Sequence, residues 1–310
     1  MDQLTPALRH WHGQGRFITV RGQRLFVAEA GRGSSLLLVH GYPTSSYDWH
    51  GVWNALAVRY HVIAPDLLGM GFSDKPPGHA YRLEDHADLL DALLAQQGVE
   101  SCHIVAHDLG VSVAQEMLAR RLEQPQAGCR IESLVLLNGG VCPEAYAPRP
   151  IQHLLSSPLG RWVGPRIPRR AFERTVAGLF GPRTQPAAGL LNDFWALLNH
   201  GQGRRISHQL GRFYIERMAL RDRLVAPLVA RAVPVRLING SADPNSGAHM
   251  ARRYREVVPH ADVVALDGIG HWPQIEAPMA MLRALHGFLQ SIEAPVGLAP
   301  DDADALPISR

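Results

Sequence analysis

Four short, almost unbroken apolar runs constrain this chain more than any other feature: SLLLVH (35–40), HVIAPD (61–66), HIVAH (103–107) and IESLVLLN (131–138). A strand that is apolar on both faces has to be covered on both, which is the situation inside a parallel sheet flanked by helices. The stretches between the runs carry the matching helical pattern. Over 83–97, Ala87, Leu90, Leu94 and Gln97 recur three or four apart, and over 111–121 Val113, Ala114, Met117 and Leu118 do the same. Strand–helix–strand repetition of this kind predicts an α/β fold with a mostly parallel, doubly wound sheet. RFITV and RLFVAEA, on either side of Gly22, predict an antiparallel hairpin at the sheet's edge.

Past Asn138 the pattern changes. From 142 to 232 the chain is rich in Arg, Pro and helical periodicity and holds no buried-strand run. Strands resume at VPVRLIN (233–239) and ADVVAL (261–266), and a helix is expected over 277–291. The organisation this predicts is a core in two parts, 1–141 and 233–293, with an inserted helical cap at 142–232. The Pro/Asp/Ala-rich end, 294–310, is expected to be a mobile tail. With 46% hydrophobic and 19% charged residues, the chain can bury a sizeable core. Its net charge of +3 rests on scattered arginines, Lys75 being the only lysine, so no nucleic-acid partner is expected. The arginines between 161 and 174 read as a solvated helical face. Cys102, Cys129 and Cys142, an odd number without C-x-x-C spacing, indicate neither a disulfide framework nor a thiolate metal site. Residues 1–20 lack the apolar stretch of a signal peptide, and no run approaches the roughly 18 apolar residues of a membrane helix. The expected setting is cytoplasmic, with no membrane partner; the oligomeric state is left open.

The most informative segment chemically is Val105-Ala106-His107-Asp108-Leu109-Gly110, which joins a predicted buried strand to a predicted helix. A sharp strand-to-helix turn can hold one side chain above a sheet if small residues flank it, and Ala106 and Gly110 stand two before and two after Asp108. An aspartate at a helix start can also be a plain N-cap. Three other segments favour chemistry. His40-Gly41-Tyr42-Pro43 ends the first buried run, Asp243 follows the run ending at Asn239, and His271 follows the run ending at Leu266. Each lies just past the carboxyl end of a strand, where open α/β sheets place their sites. Asp108, Asp243 and His271 are therefore the candidate nucleophile, orienting acid and base. The backbone N–H groups of Tyr42 and Leu109 are the candidate oxyanion hole. Asp267 is a competitor for the acid, and His107 reads as a buried support. Gly69-Met70-Gly71 lacks the third glycine of a dinucleotide loop, and there is no P-loop or H-E-x-x-H, so no cofactor or metal is expected.

HGYPTSSYDW, DLLGMGFSDKP, the HDLG elbow and GIGHWPQIEAP resemble the α/β hydrolases that include epoxide hydrolases and haloalkane dehalogenases. LLNGGVCPE, FGPRTQP, NDFWALLN and Tyr214-Ile215-Glu216-Arg217 are similar to the mesoderm-specific transcript branch, and the likeness spans roughly 16–292. The order nucleophile, acid, histidine is that of the group. The resemblance implies a covalent route. A carboxylate at position 108 is already ionised and can attack an sp3 carbon directly, giving an alkyl ester that His271 helps water to hydrolyse. Plain esterase activity is disfavoured, since carboxylate attack on an ester would give an anhydride.

The two best-known chemistries of the group differ in how the leaving group is met. Epoxide opening leaves an alkoxide that cap tyrosines protonate; dehalogenation leaves a halide, held by a tryptophan beside the nucleophile and a second tryptophan or asparagine. Here Leu109 and Tyr42 stand at positions where many dehalogenases have halide donors. The expectation is an epoxide hydrolase-like enzyme acting on small apolar substrates, with Tyr214 as the first candidate proton donor and Tyr146 as the second. A haloalkane dehalogenase-like enzyme, or a hydrolase fold kept for binding or regulation with little turnover, are the alternatives. Phe194, Trp195 and Trp272 are candidates for the wall of an apolar pocket.

Overall fold

The computed structural model describes residues 4–293; the tail expected to be mobile lies outside the described residues. Eight strands, β1 (Gly15–Val20), β2 (Gln23–Ala30), β3 (Ser35–Val39), β4 (His61–Pro65), β5 (Ser101–Asp108), β6 (Arg130–Gly139), β7 (Val235–Gly240) and β8 (Asp262–Leu266), form one sheet. The strand order is β1-β2-β4-β3-β5-β6-β7-β8. β1 and β2 make the expected hairpin, its turn at Arg21 and Gly22 having φ of 48° and 78°. Two positive φ values in a two-residue loop give the twist that antiparallel strands need. β2 pairs antiparallel with β4, and every later pairing is parallel.

The apolar runs are buried on both faces, as their composition requires. Leu36 and Leu38 of β3 belong to one apolar cluster, with Val105 of β5, while Leu37 and Val39 belong to another, with Ile104 and Ala106. The helices Leu83–Gln96 and Leu109–Glu123 contribute Leu90, Leu94, Val113 and Met117 to the second cluster, and Pro278–Glu293 contributes Leu285 and Leu289 to the first.

The chain leaves β3 for β4 on one side and then supplies β5 on the other, so β3 and β5 are neighbours with Val39 opposite Ala106. That reversal is the switch point at which strand ends diverge and leave a crevice. The segment between β6 and β7 is helical, with no strand among the described residues. It is tied over the crevice by core-to-cap hydrogen bonds, from the His271 amide to the Leu179 carbonyl at 2.9 Å and from the Tyr42 hydroxyl to the Ser207 carbonyl at 3.3 Å. Gln115 in the helix after β5 donates to the Leu224 carbonyl at 3.1 Å.

Candidate active site

Asp108 ends β5 and immediately precedes the helix Leu109–Glu123. Its backbone has φ 51° and ψ −111°, a conformation that costs free energy for a residue with a Cβ. Helical hydrogen bonding on one side and the sheet on the other hold it there, and the close approach depends on glycines. A Cβ on Gly110 would lie 2.4 Å from the Val39 carbonyl, and one on Gly41 would lie 2.4 Å from the Asp108 Cβ. The helix-cap reading of Asp108 fails in the structure: its side chain makes no capping bond.

The carboxylate is instead turned towards two partners. The Tyr42 amide donates to Oδ1 at 3.0 Å, and His271 Nε2 lies 3.5 Å from Oδ2. Leu109 is the first residue of the helix, so its amide is among the N–H groups that no helical carbonyl can satisfy. His271 Nδ1 lies 2.7 Å from Asp243 Oδ2. Asp243 in turn accepts from Ser246 Oγ at 2.6 Å, the Asn245 amide at 2.8 Å and Asn138 Nδ2 at 3.0 Å. Asn138 thus serves as a donor that orients the acid. Asp267 accepts from Ser241 Oγ, away from the imidazole. His107 donates from Nε2 to the His271 carbonyl at 2.8 Å, a support for the loop that carries the histidine.

Asp108, Asp243 and His271 are each 2% exposed, so their charges interact strongly. Burial alone would lower the His271 pKa, but the charge of Asp243 and the hydrogen bonds of Asp108 and Asp243 outweigh it and raise it to about 10. Burial likewise pushes Asp243 up, and the charge and hydrogen bond of His271 bring it down to about 2. Asp108 is also held below the usual carboxylate range. There burial is overcome by the His271 hydrogen bond and charge and by the charge of Arg217.

Asp108, His271 and Tyr42 meet in a cavity of about 140 Å³ lined largely by apolar cap residues, among them Leu155, Phe172, Val176 and Leu179, together with Arg149 and Arg204. Two site expectations change here. Tyr214 does not line the cavity; its hydroxyl is held by Ser156 Oγ at 2.9 Å and His153 Nδ1 at 3.1 Å, on cap helices. Tyr146 does line it, and its hydroxyl oxygen accepts from Gln152 Nε2 at 2.8 Å and Asn245 Nδ2 at 3.0 Å. The second candidate, then, is the one that shares the cavity with Asp108. Phe194, Trp195 and Trp272 do not line the cavity either. Trp272 packs edge-on to His271 with centroids 4.7 Å apart and stacks on Phe180, so these rings buttress the loop from behind.

Arg217 was not foreseen as part of the site. Its guanidinium is fully buried, 4.6 Å from the Tyr146 ring centroid and 4.5 Å from that of Phe213. None of its three nitrogens has a hydrogen-bond partner among the described residues. A Cβ at Gly140 would fall 1.6 Å from Nη1, so the glycine makes the room for this cation. The signal was present in the Glu-Arg pair of the cap motif, but nothing local says that an arginine there turns inward. Among the described residues no group of three or more His, Cys, Asp or Glu side chains is placed to hold a metal ion.

A nucleophile position on a strained strand-to-helix turn, followed in the chain by an acid and a histidine beyond later strands, defines the α/β hydrolases. The sequence model of the alpha/beta hydrolase fold family matches residues 35–278, and the chain belongs to that family. The human mesoderm-specific transcript homolog protein is 38% identical over 302 residues, covering 93% of this chain and 90% of its own. The mouse mesoderm-specific transcript protein is 37% identical with the same coverage. Among solved structures, the haloalkane dehalogenase DbeA from Bradyrhizobium elkani USDA94 superposes with a TM-score of 0.75 at 26% identity, over 90% of this chain and 98% of that one. Among the described residues, no helix is long and apolar enough to cross a membrane.

Proposed function

We propose that the protein is a cofactor-independent hydrolase that opens small apolar epoxides through a covalent ester on Asp108. One observation carries the reading: an ionised carboxylate and a phenol with an uncommitted proton line the same small cavity. Tyr146 accepts two hydrogen bonds, and its own O–H has no acceptor among the described residues. Burial and the charge of Asp108 push this phenol above its ordinary pKa, while the charge of Arg217 and the Gln152 hydrogen bond pull it back. A cation stacked on the ring stabilises the phenolate that proton donation leaves behind. A space of about 140 Å³ suits a guest of roughly benzene size.

In the first half-reaction Oδ2 of Asp108 attacks a ring carbon, the carbon–oxygen bond of the epoxide breaks, and the alkoxide takes the Tyr146 proton. Alkylation neutralises Asp108. His271 then loses one of the two carboxylates that hold it charged, and its proton can restore the Tyr146 phenol. The neutral imidazole, steered by Asp243, takes a proton from water as the water attacks the ester carbonyl. The oxyanion forms on the oxygen that the Tyr42 amide already contacts. Collapse releases the diol, whose new hydroxyl takes the His271 proton, and the Asp108 acid returns a proton to the ring.

The test is His271→Gln mixed with a panel of small epoxides. An adduct of substrate mass on the peptide containing Asp108 is expected to accumulate, and its absence across the panel would sink the reading. In wild-type single turnover in ¹⁸O-water, the first diol formed should carry enzyme oxygen rather than solvent oxygen. Haloalkane hydrolysis is the second reading, suggested by the structural likeness to DbeA. Against it, no tryptophan lines the cavity among the described residues, and the side-chain amides of Gln152 and Asn245 are engaged by Tyr146. Halide release from chloro- and bromoalkanes would reverse the order of the two. The reading as a binding protein without turnover draws no support from a triad with these distances.

A further inference from the structure

The cap carries a surface that the proposed reaction does not use. Leu159 is 61% exposed, Trp162 55% and Leu154 39%, on the short helices Pro150–Ser156 and Gly160–Val163 and the link between them. Large apolar side chains gathered in one place on a surface usually meet something. Trp162 lines an apolar groove that reaches the helix Arg169–Ala177, and its walls Ile151, Ile167 and Ala171 are also walls of the Asp108 cavity. These shared side chains form a wall between the groove and the Asp108 cavity.

Charge selects the partner. Between residues 150 and 178 the chain has five arginines and one acid, Glu173, whereas the whole protein has a net charge of only +3. Glu173 is taken by Arg169 at 2.6 Å, and Arg161, Arg166, Arg170 and Arg174 form no ion pair among the described residues. The Arg161 guanidinium lies 4.9 Å from the Trp162 ring, so cation and aromatic project together. Tryptophan and leucine interspersed in the chain with unpaired arginines are the composition of segments that lie in the headgroup region of a bilayer. A protein partner would need a broad complementary interface; three exposed apolar side chains and arginines without ion pairs suit a fluid one better.

We infer that this face of the cap docks on the surface of a bilayer carrying anionic phospholipids, with the groove as the entry for apolar molecules dissolved there. The arginines of 161–174 are then part of a docking surface rather than a merely solvated helix, which departs from the expectation of no membrane partner. Vesicle binding does not depend on turnover, so it stands or falls separately from the proposed reaction.

The whole protein would be sedimented with vesicles of phosphatidylcholine alone or with about 30% phosphatidylglycerol, at low and high salt. Binding to the anionic vesicles is expected, several-fold weaker at high salt. Leu159→Ser with Trp162→Ser should weaken it about tenfold or more, and Arg161→Gln with Arg166→Gln and Arg170→Gln should do so on anionic vesicles only. Val58→Ser, at an apolar residue 82% exposed in the core part, should leave it unchanged. Wild-type protein remaining in the supernatant with both vesicles would overturn the inference. So would equal binding by the Leu159/Trp162 variant, or a concentration-dependent dimer that this variant abolishes while vesicles are ignored.

Discussion

Tyr146 and Tyr214 show how much a hydroxyl's surroundings matter. Both are buried cap-region phenols, but Tyr146 lines the Asp108 cavity with an O–H that has no acceptor among the described residues, while Tyr214 is engaged with Ser156 and His153. Tyr146→Phe is expected to lower kcat on epoxides by about 100-fold, in the range for loss of a general acid. Tyr214→Phe should leave kcat within a few-fold, and steady-state kinetics on one epoxide decides between them. Arg217→Met should lower kcat about tenfold with little change in KM, because the cation stabilises the phenolate without touching substrate. The sequence pointed to Asp108, Asp243 and His271, since each follows a recognisable apolar run. It could not rank the tyrosines, because a cap built of short helices has no strand ends to mark where a side chain points.

At the scale of elements, the elbow is the decisive piece. β5 and its helix are joined without a linking loop, so the strain at Asp108 is sustained by close packing against β3. Gly110→Ala places a methyl 2.4 Å from a backbone carbonyl that cannot swing aside. It should destabilise the fold by about 1–3 kcal/mol, as overpacking does, read as a fall in melting temperature. Elements carried by long apolar patterns were legible: the expected helix over 83–97 is Leu83–Gln96, and the strands over 35–40 and 61–66 are Ser35–Val39 and His61–Pro65. The helix Pro6–His12 was not, because two turns that bury only Leu8 and Trp11 leave too little periodicity to read. The Thr5 cap and Pro6 at its first position were the available signals.

For the whole molecule, the buried triad ties stability to pH. The His271 pKa is raised from 6.5 to about 10, so its contribution is complete below about pH 6.5 and is lost as pH rises through 10. The Asp243 pKa is lowered from 3.8 to about 2, so its contribution is complete above about pH 3.8 and is lost as pH falls through 2. In denaturant unfolding the triad's own contribution, read as the difference between wild type and His271→Gln, should therefore be level between about pH 4 and 6.5 and decline on both sides. Buried His86, its pKa lowered to about 3, makes the whole protein lose stability as pH falls below about 6.5. His271→Gln should remove both of the triad's limbs, since it removes the raised group and the cause of Asp243's depression. A wild-type alkaline limb that persists unchanged in the variant would show that other groups control it.

By itself the sequence determined the layered α/β core and the order of its parts, because doubly buried strands and amphipathic helices write their periods locally. It also pointed to Asp108, Asp243 and His271, since a site at strand ends inherits the strands' legibility. Only the tertiary structure decided which tyrosine shares the cavity of the carboxylate, that Asn138 steadies Asp243, and that Arg217 is buried against the Tyr146 ring. Those relations join residues dozens of positions apart in the chain. Their energies depend on burial and direction, which no linear pattern encodes.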